Sequence, residues 1–345
     1  MNPAPSPRFR NPRAKHGFRG RSCSIVGVGS YVPARVLTNA ELEKMVDTSD
    51  DWITTRTGIK ERRLAGAGES TSDLANQAGR RALANAHLTP DAVELIIVAT
   101  VTPDMPFPST SCLVQEKLGA MRAAAFDIEA ACSGFIYGLE IGQQFIMSRT
   151  YDTVLVIGAE KLSAIVDWRD RNTCVLFGDG AGAAVLQNRP GSHGLLTACM
   201  GADGSKGSVP CVPAGGSRRP ASAETITQGL HFLRMDGKET FKNAVQAMHH
   251  AAREVMQRCE LTVDQIRCII PHQANRRIID AVADRLGARP EQLFVNLERY
   301  GNTSAASVAI ALDEAVSRGR INRGDLVLLV VFGAGFTWGA AVIEW

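Results

Sequence analysis

Most of the reactive chemistry of this 345-residue chain lies in eight cysteines, seven histidines and a few glycine-rich turns. The cysteines stand at 23, 112, 132, 174, 199, 211, 259 and 268; none forms a C-x-x-C pair, and no histidine joins them at zinc-finger spacing. That pattern points to reduced thiols and away from a structural metal, so a cysteine that matters here matters as a nucleophile. Cys132 has the strongest context. It lies in Ala-Ala-Cys-Ser-Gly-Phe at 130–135, after a strand-like run over 123–128 and before helix-compatible apolar spacing over 135–147. A strand-to-helix turn sets the thiol at or near a helix N-terminus, where the dipole and free N–H groups favour the thiolate and lower its pKa. The small neighbours Ala131, Ser133 and Gly134 leave room for a substrate. The plainer fate of a lone cysteine, a small buried hydrophobe, stays open at this point.

Pro-His-Gln-Ala-Asn at 271–275 closes an expected strand over 266–270. His272, just past the carboxyl end of a buried strand, stands where open α/β sheets place their ligands; a hydrogen-bonded structural histidine is the competing reading. His249 and His250 fall in a helical run and His16 in the N-terminal tail, without comparable context. Tyr-Gly-Asn-Thr-Ser-Ala-Ala-Ser at 300–307 is a turn feeding a small-residue helix, in which Asn302 taken alone reads as a helix cap. Phe-Gly-Ala-Gly-Phe at 332–336 follows an expected strand over 326–331. Its glycines let backbone N–H groups approach a ligand closely, as an oxyanion hole requires, or simply make a tight turn. Gly27-Val28-Gly29 lacks the third glycine of a dinucleotide fingerprint, and the glycines at 178, 180 and 182 lack the Lys-Ser/Thr of a P-loop, so nucleotide-phosphate loops are set aside. A thiol, a His and an Asn on separate segments point to acyl transfer through a thioester, without choosing between hydrolysis and carbon–carbon bond formation.

The elements that must position these groups come in two copies. Residues 88–97 and 261–270 both read L-T-x-D-x-[VI]-x-x-I-I, each after a helical stretch (72–86 and 239–259). Val-Gln-Glu-Lys-Leu-Gly-Ala at 114–120 is matched by Val-Ala-Asp-Arg-Leu-Gly-Ala at 282–288, the apolar run 152–157 by 325–330, and 182–186 by 339–343. Four matches in one order imply two α/β halves, 22–190 and 191–345, with helices covering buried sheets and a ligand site at their junction. Residues 201–229, rich in Gly, Ser, Ala and Pro, read as a surface loop. The formal charge of +3 includes six cations and no acid within residues 1–21, so everything after Arg21 sums to −3. A body near neutrality does not suggest a nucleic-acid surface. No run approaches the roughly 18 to 20 apolar residues of a membrane span, and a soluble protein is expected. The proline-rich basic extension 1–21 reads as disordered and lacks the apolar region of a secretory signal; a cytoplasmic protein is the expectation, an organelle transit peptide the minor alternative.

Taken together, the segments at 130–135, 272–275, 301–307 and 332–339, with 48–59 and Phe-Gly-Asp-Gly-Ala-Gly at 177–182, resemble β-ketoacyl-acyl-carrier-protein synthase III over residues 25–345. The resemblance implies the thiolase fold, two duplicated α/β halves about a pseudo-twofold axis layered α-β-α-β-α, and a homodimer. It implies loading of an acyl group from acyl-CoA onto Cys132, then condensation with malonyl-acyl carrier protein with loss of CO2, in initiation of type II fatty-acid synthesis. No cofactor and no metal are implied: the CoA thioester and the carrier protein are substrates. Cys132 matches the nucleophile, His272 and Asn302 the pair that hydrogen-bonds the malonyl thioester oxygen, and the backbone N–H groups of Cys132 and Ala334 the oxyanion hole. The family often has Gly where Ala334 stands; a backbone donor tolerates that change. Trp52 and Arg171 match residues that sandwich the CoA adenine, Arg56 and Asn275 those near its phosphate and pantetheine, and Phe107 the residue that caps the partner subunit's acyl pocket. Lys242, Arg276 and Arg277 flank the expected entrance, placed to steer an acidic carrier protein or forming an ordinary solvated basic face.

Among relatives, a biosynthetic thiolase wants a second cysteine in the glycine loop at 332–339, which has none. A synthase of a secondary pathway with another starter or acceptor is the alternative, ahead of a Cys-His-Asn thioester hydrolase or a non-catalytic scaffold partner. The starter (acetyl, propionyl or branched) is not written in these residues.

Overall fold

In the computed structural model, which describes residues 22–189, 194–206 and 210–345, two sheets enclose a central pair of helices. The basic extension 1–21 and the expected boundary at 190/191 lie outside the described residues. The first part of the chain supplies β1 (Cys23–Tyr31), β2 (Arg35–Thr38), α1 (Asn39–Leu42), α2 (Asp50–Thr57), β3 (Glu61–Leu64), α3 (Thr71–Asn85), β4 (Leu95–Ala99), α4 (Thr110–Leu118), β5 (Ala124–Ile128), α5 (Gly134–Met147), β6 (Thr153–Glu160) and β7 (Gly180–Asn188). The second supplies β8 (Gly194–Ala202), α6 (Ala223–Thr227), α7 (Gly237–Arg258), β9 (Cys268–Pro271), α8 (Arg276–Leu286), α9 (Leu297–Tyr300), α10 (Ala306–Ser317), β10 (Leu326–Gly333) and β11 (Thr337–Glu344).

Alternation along each apolar strand sets the layers. In β4, Leu95 and Ile97 face the core shared with α5 and α10, while Ile96 and Val98 face outward onto α3 and α4. In β10, Val327, Leu329 and Val331 enter that same central core, and Leu328 and Val330 pack with α7 and α8. Strands buried on both faces must be apolar throughout, as these runs are. The result is five layers: α3 and α4, the first sheet, α5 with α10, the second sheet, α7 and α8.

The sequence repeat reappears as topology. The first sheet runs β1-β7-β6-β4-β5 and the second β8-β11-β10-β9, with antiparallel, antiparallel and parallel pairings in the same order. Where β5 adds a fifth strand, the second half has only a parallel bridge between Ile269 and Leu293. β6 pairs with β7 from Thr153↔Gln187 to Glu160↔Gly180, and β10 with β11 from Leu326↔Glu344 to Gly333↔Thr337. Glu160 and Gly333 therefore end equivalent strands.

Three local expectations need correcting. The strand expected at 266–270 is found at Cys268–Pro271, because a 3-10 turn over Val263–Gln265 delays its start. The stretch 201–229 is not merely a surface loop: it contains α6, and Pro210, Cys211 and Val212 line the central cavity. The glycine pair at 27 and 29 sits inside β1, where a side chain at Gly29 would lie 2.3 Å from the Ala82 nitrogen of α3. Close helix–strand packing explains the glycine there.

Candidate active site

A cavity of about 850 Å³ opens between the halves, and Cys132, His272, Asn302, Ala334 and Asn275 all line it. Each is delivered by an element end. Cys132 sits in a 3-10 turn over Ala131–Ser133 between β5 and α5. His272 follows β9, held by its N–H donating to the Val330 carbonyl at 2.8 Å. Asn302 precedes α10, and Ala334 follows β10. Gly333 lies against the Cys132 turn, where a side chain would stand 2.7 Å from the Cys132 nitrogen. The Thr337 hydroxyl fastens the same junction, 2.9 Å from the Ala130 carbonyl oxygen and 3.1 Å from Ser133 Oγ. Three non-glycine residues around the site have left-handed backbones: Ala131 (φ 46), Ser304 (φ 48) and Phe336 (φ 49). Such strain persists only where surrounding contacts hold it.

His272 is buried, and its Nδ1 lies 2.7 Å from Ser307 Oγ of α10 while Nε2 has no hydrogen-bond partner. Burial pulls its pKa down to about 4, so the imidazole is neutral near pH 7. Asn302 is not the N-cap of α10; its Oδ1 accepts from the Ser304 N–H at 2.8 Å, which leaves the amide group as its remaining donor.

The Cys132 thiol departs from expectation. Helix α5 does begin two residues later, yet burial is the dominant influence and pushes the thiol up to about 12. That rise corresponds to about 4 kcal/mol, whereas a helix terminus contributes at most about 2 kcal/mol. The resting residue is a half-buried neutral thiol.

Other expected residues surround the mouth. The Arg56 and Arg171 guanidiniums lie 4.7 and 5.1 Å from the Trp52 ring centroid, and Arg171 also bonds the Asp47 carbonyl at 2.7 Å. None of the three lines the cavity itself, but Asn275 does, and its Nδ2 donates to the Arg56 carbonyl at 3.1 Å. Asn275 is also the N-cap of α8. Arg277 stacks over Phe241, a cavity residue, at 6.0 Å; Lys242 is the next residue of α7, and Arg276 pairs with Asp280 at 2.7 Å. Phe107 is 83% exposed on the loop between β4 and α4, and its neighbour Pro106 lines the cavity.

Sequence reasoning missed Glu160, Ser304 and Ser307 as parts of this site. Glu160 is wholly buried at the end of β6. Thr102 Oγ1 donates to its Oε2 at 2.7 Å, Thr100 Oγ1 at 3.2 Å, and the Val101 N–H at 3.1 Å. The available signal was a carboxylate closing an otherwise apolar strand.

Two duplicated α/β halves around a cysteine-bearing cavity define a thiolase-fold acyltransferase. Comparison with known proteins narrows the class. The family model for 3-oxoacyl-[acyl-carrier-protein] synthase III matches residues 126–204, and the model for its C-terminal part matches 256–345. The chain is similar to the β-ketoacyl-[acyl-carrier-protein] synthase III of Caldanaerobacter subterraneus subsp. tengcongensis, 59% identical over 94% of this chain and 98% of that protein. That of Symbiobacterium thermophilum is 56% identical over 94% and 98%. The crystal structure of 3-oxoacyl-[acyl-carrier-protein] synthase III from Aquifex aeolicus superposes with a TM-score of 0.87 at 49% identity, covering 94% of this chain and 100% of that one. The chain belongs to the β-ketoacyl-acyl-carrier-protein synthase III family, acyl-transferring condensing enzymes that initiate fatty-acid synthesis.

Proposed function

We propose that Cys132 takes an acyl group from acyl-CoA and that the resulting thioester is condensed with malonyl-acyl carrier protein, releasing CO2 and a β-ketoacyl carrier protein. The observation that carries this reading is the convergence of Cys132, His272 and Asn302 on one cavity, with the Nε2 of a buried neutral histidine unpartnered. The first half-reaction is attack of the Cys132 sulfur on the acyl thioester, with the backbone N–H groups of Cys132 and Ala334 receiving the oxyanion. The second is decarboxylation. His272 Nε2–H and the Asn302 amide donate to the malonyl thioester oxygen as its enolate forms; Ser307 Oγ–H donating to Nδ1 selects that tautomer. A neutral donor suits this step, because loss of CO2 supplies the drive and no strong base is needed. No cofactor enters either step.

CoA enters past Trp52, its adenine slipping between that ring and Arg171, whose present separation of 5.1 Å must widen. Arg56 and Asn275 sit further along, toward phosphate and pantetheine. Lys242, Arg276 and Arg277 form the basic rim for an acidic carrier protein. Phe107, too exposed for a large apolar side chain in a lone subunit, inserts into the acyl pocket of a second copy, so the working unit is a homodimer. Among the described residues no helix is long and apolar enough to cross a membrane, and a cytoplasmic enzyme fits these substrates.

Intact-protein mass spectrometry after mixing with a panel of acyl-CoAs tests the reading. Wild type is expected to gain one acyl mass and Cys132→Ala none, the fastest adduct naming the starter. An equal adduct on both proteins would move the nucleophile elsewhere.

A further inference from the structure

A neutral thiol in a half-buried turn must lose its proton before it can attack, and His272, neutral down to about pH 4, is a weak base for that purpose. The other titratable group acting on Cys132 is Glu160. Ser304 stands between them: its hydroxyl acts as a hydrogen-bond partner on both the thiol and the Glu160 carboxylate. Backbone packing holds it there. A side chain at Gly158, two residues before Glu160, would meet the Ala305 carbonyl at 2.4 Å, so the 304–305 segment rests directly on β6. The Asn302 side chain pins the Ser304 N–H, and the left-handed backbone at Ser304 completes the turn.

The hydroxyls around Glu160 report its role. Thr102 Oγ1 accepts from the Lys161 N–H at 2.8 Å, and Thr100 Oγ1 accepts from the Thr102 N–H at 3.0 Å, so both turn their protons toward the carboxylate. All of its partners are hydroxyls or the Val101 N–H, with no cation to lock it as an anion. The adjacent Lys161 directs its ammonium away, to the Gly66 and Glu69 carbonyls. Asp127, on the cavity wall, is occupied by the Thr110 and Ser111 N–H groups. Burial, opposed by these hydrogen bonds, leaves Glu160 at about 7, a suitable value for a group that takes and returns a proton near neutrality.

We propose that Glu160, acting through the Ser304 hydroxyl, is the proton acceptor that activates Cys132 for acyl loading. The Cys132 S–H bond breaks as its proton passes to Ser304 Oγ, while the Ser304 O–H proton passes to the Glu160 carboxylate. The freed sulfur electron pair bonds to the acyl carbonyl carbon; collapse of the tetrahedral intermediate breaks the bond to the CoA sulfur. The Glu160 carboxylic acid then returns the proton through Ser304 to the departing CoA thiolate. No net charge is created or lost. The proposal rests on Cys132 being the nucleophile.

The test is the pH dependence of Cys132 alkylation by iodoacetamide, read by peptide mass spectrometry so that exposed Cys112 does not interfere, alongside acyl-CoA loading. In wild type both rates are expected to rise, bend near pH 7 as Glu160 ionises, and level off. Glu160→Gln is expected to lose the bend, its rates climbing steadily with pH, and to load at least about tenfold more slowly at pH 8. Ser304→Ala, with the carboxylate still in place, is expected to do the same. A wild-type profile with no bend near pH 7, or a Glu160→Gln protein that keeps it, overturns the relay. Because the wild-type profile decides by itself, poor folding of a variant does not protect the proposal. Loading of Cys132→Ala would sink the nucleophile assignment, a separate result from a missing bend.

Discussion

At the scale of single residues, the site is divided between two jobs. Cys132 and its backbone neighbours serve acyl loading, while His272 and Asn302 serve the malonyl step. His272→Ala and Asn302→Ala are therefore expected to load acyl groups at close to the wild-type rate and to lose at least about a hundredfold in malonyl decarboxylation. Single-turnover loading and CO2 release, measured separately, check this; variants that load poorly yet decarboxylate normally would reverse the assignment. Cys132, His272 and Asn302 were legible because their types and flanking turns are rare together. Their electrostatics were not. Whether the helix end or burial governs the thiol depends on how much protein surrounds it, which local sequence does not encode. Glu160 was invisible for the same reason: it ends an apolar strand, and only the fold brings Ser304, 144 positions later, against it.

At the scale of elements, glycines set how closely helices and strands approach. Gly158→Ala would place a methyl group 2.4 Å from the Ala305 carbonyl oxygen, against backbone that cannot swing aside. A cost of about 1–3 kcal/mol in urea unfolding is expected, as for other overpacked cores, together with slower acyl loading as the 304–305 turn is pushed off β6. Loss of stability with loading intact would show that the turn can move without consequence. The strands and major helices could be read from period and repeat, since apolar runs of β6 and β10 type admit few alternatives. Less legible were the ends. The 3-10 turn before β9 and the short α6 depend on capping and on the cavity wall, both tertiary in origin.

At the scale of the whole molecule, two buried groups couple folding to pH with opposite signs. His272 is held neutral at about 4, so between its ordinary range and that value the unfolded chain binds the extra proton and stability falls as pH drops. Glu160 is held protonated up to about 7, so the folded chain carries the extra proton above the ordinary carboxylate range and stability falls as pH rises through that window. Each effect amounts to about 3 kcal/mol and they largely cancel between pH 4.5 and 6.5. Unfolding by urea across that range is the check. Relative to wild type, Glu160→Gln is expected to gain stability as pH rises, and His272→Asn to lose it. Parallel curves for all three proteins would mean that neither group is perturbed as described.

The repeat has a consequence of another kind. The spacing of 173 residues that relates 88–97 to 261–270 also relates Ala131 to Ser304, both left-handed, and Cys132 to Ala305. It relates Ala99 to His272 and Gly134 to Ser307; a side chain on Gly134 would touch Ala99, just as Ser307 touches His272. One ancestral turn thus diverged into two specialised copies, one keeping the nucleophile and the other the group that prepares it. Neither copy could have been lost afterwards, because each inherited only half of the chemistry.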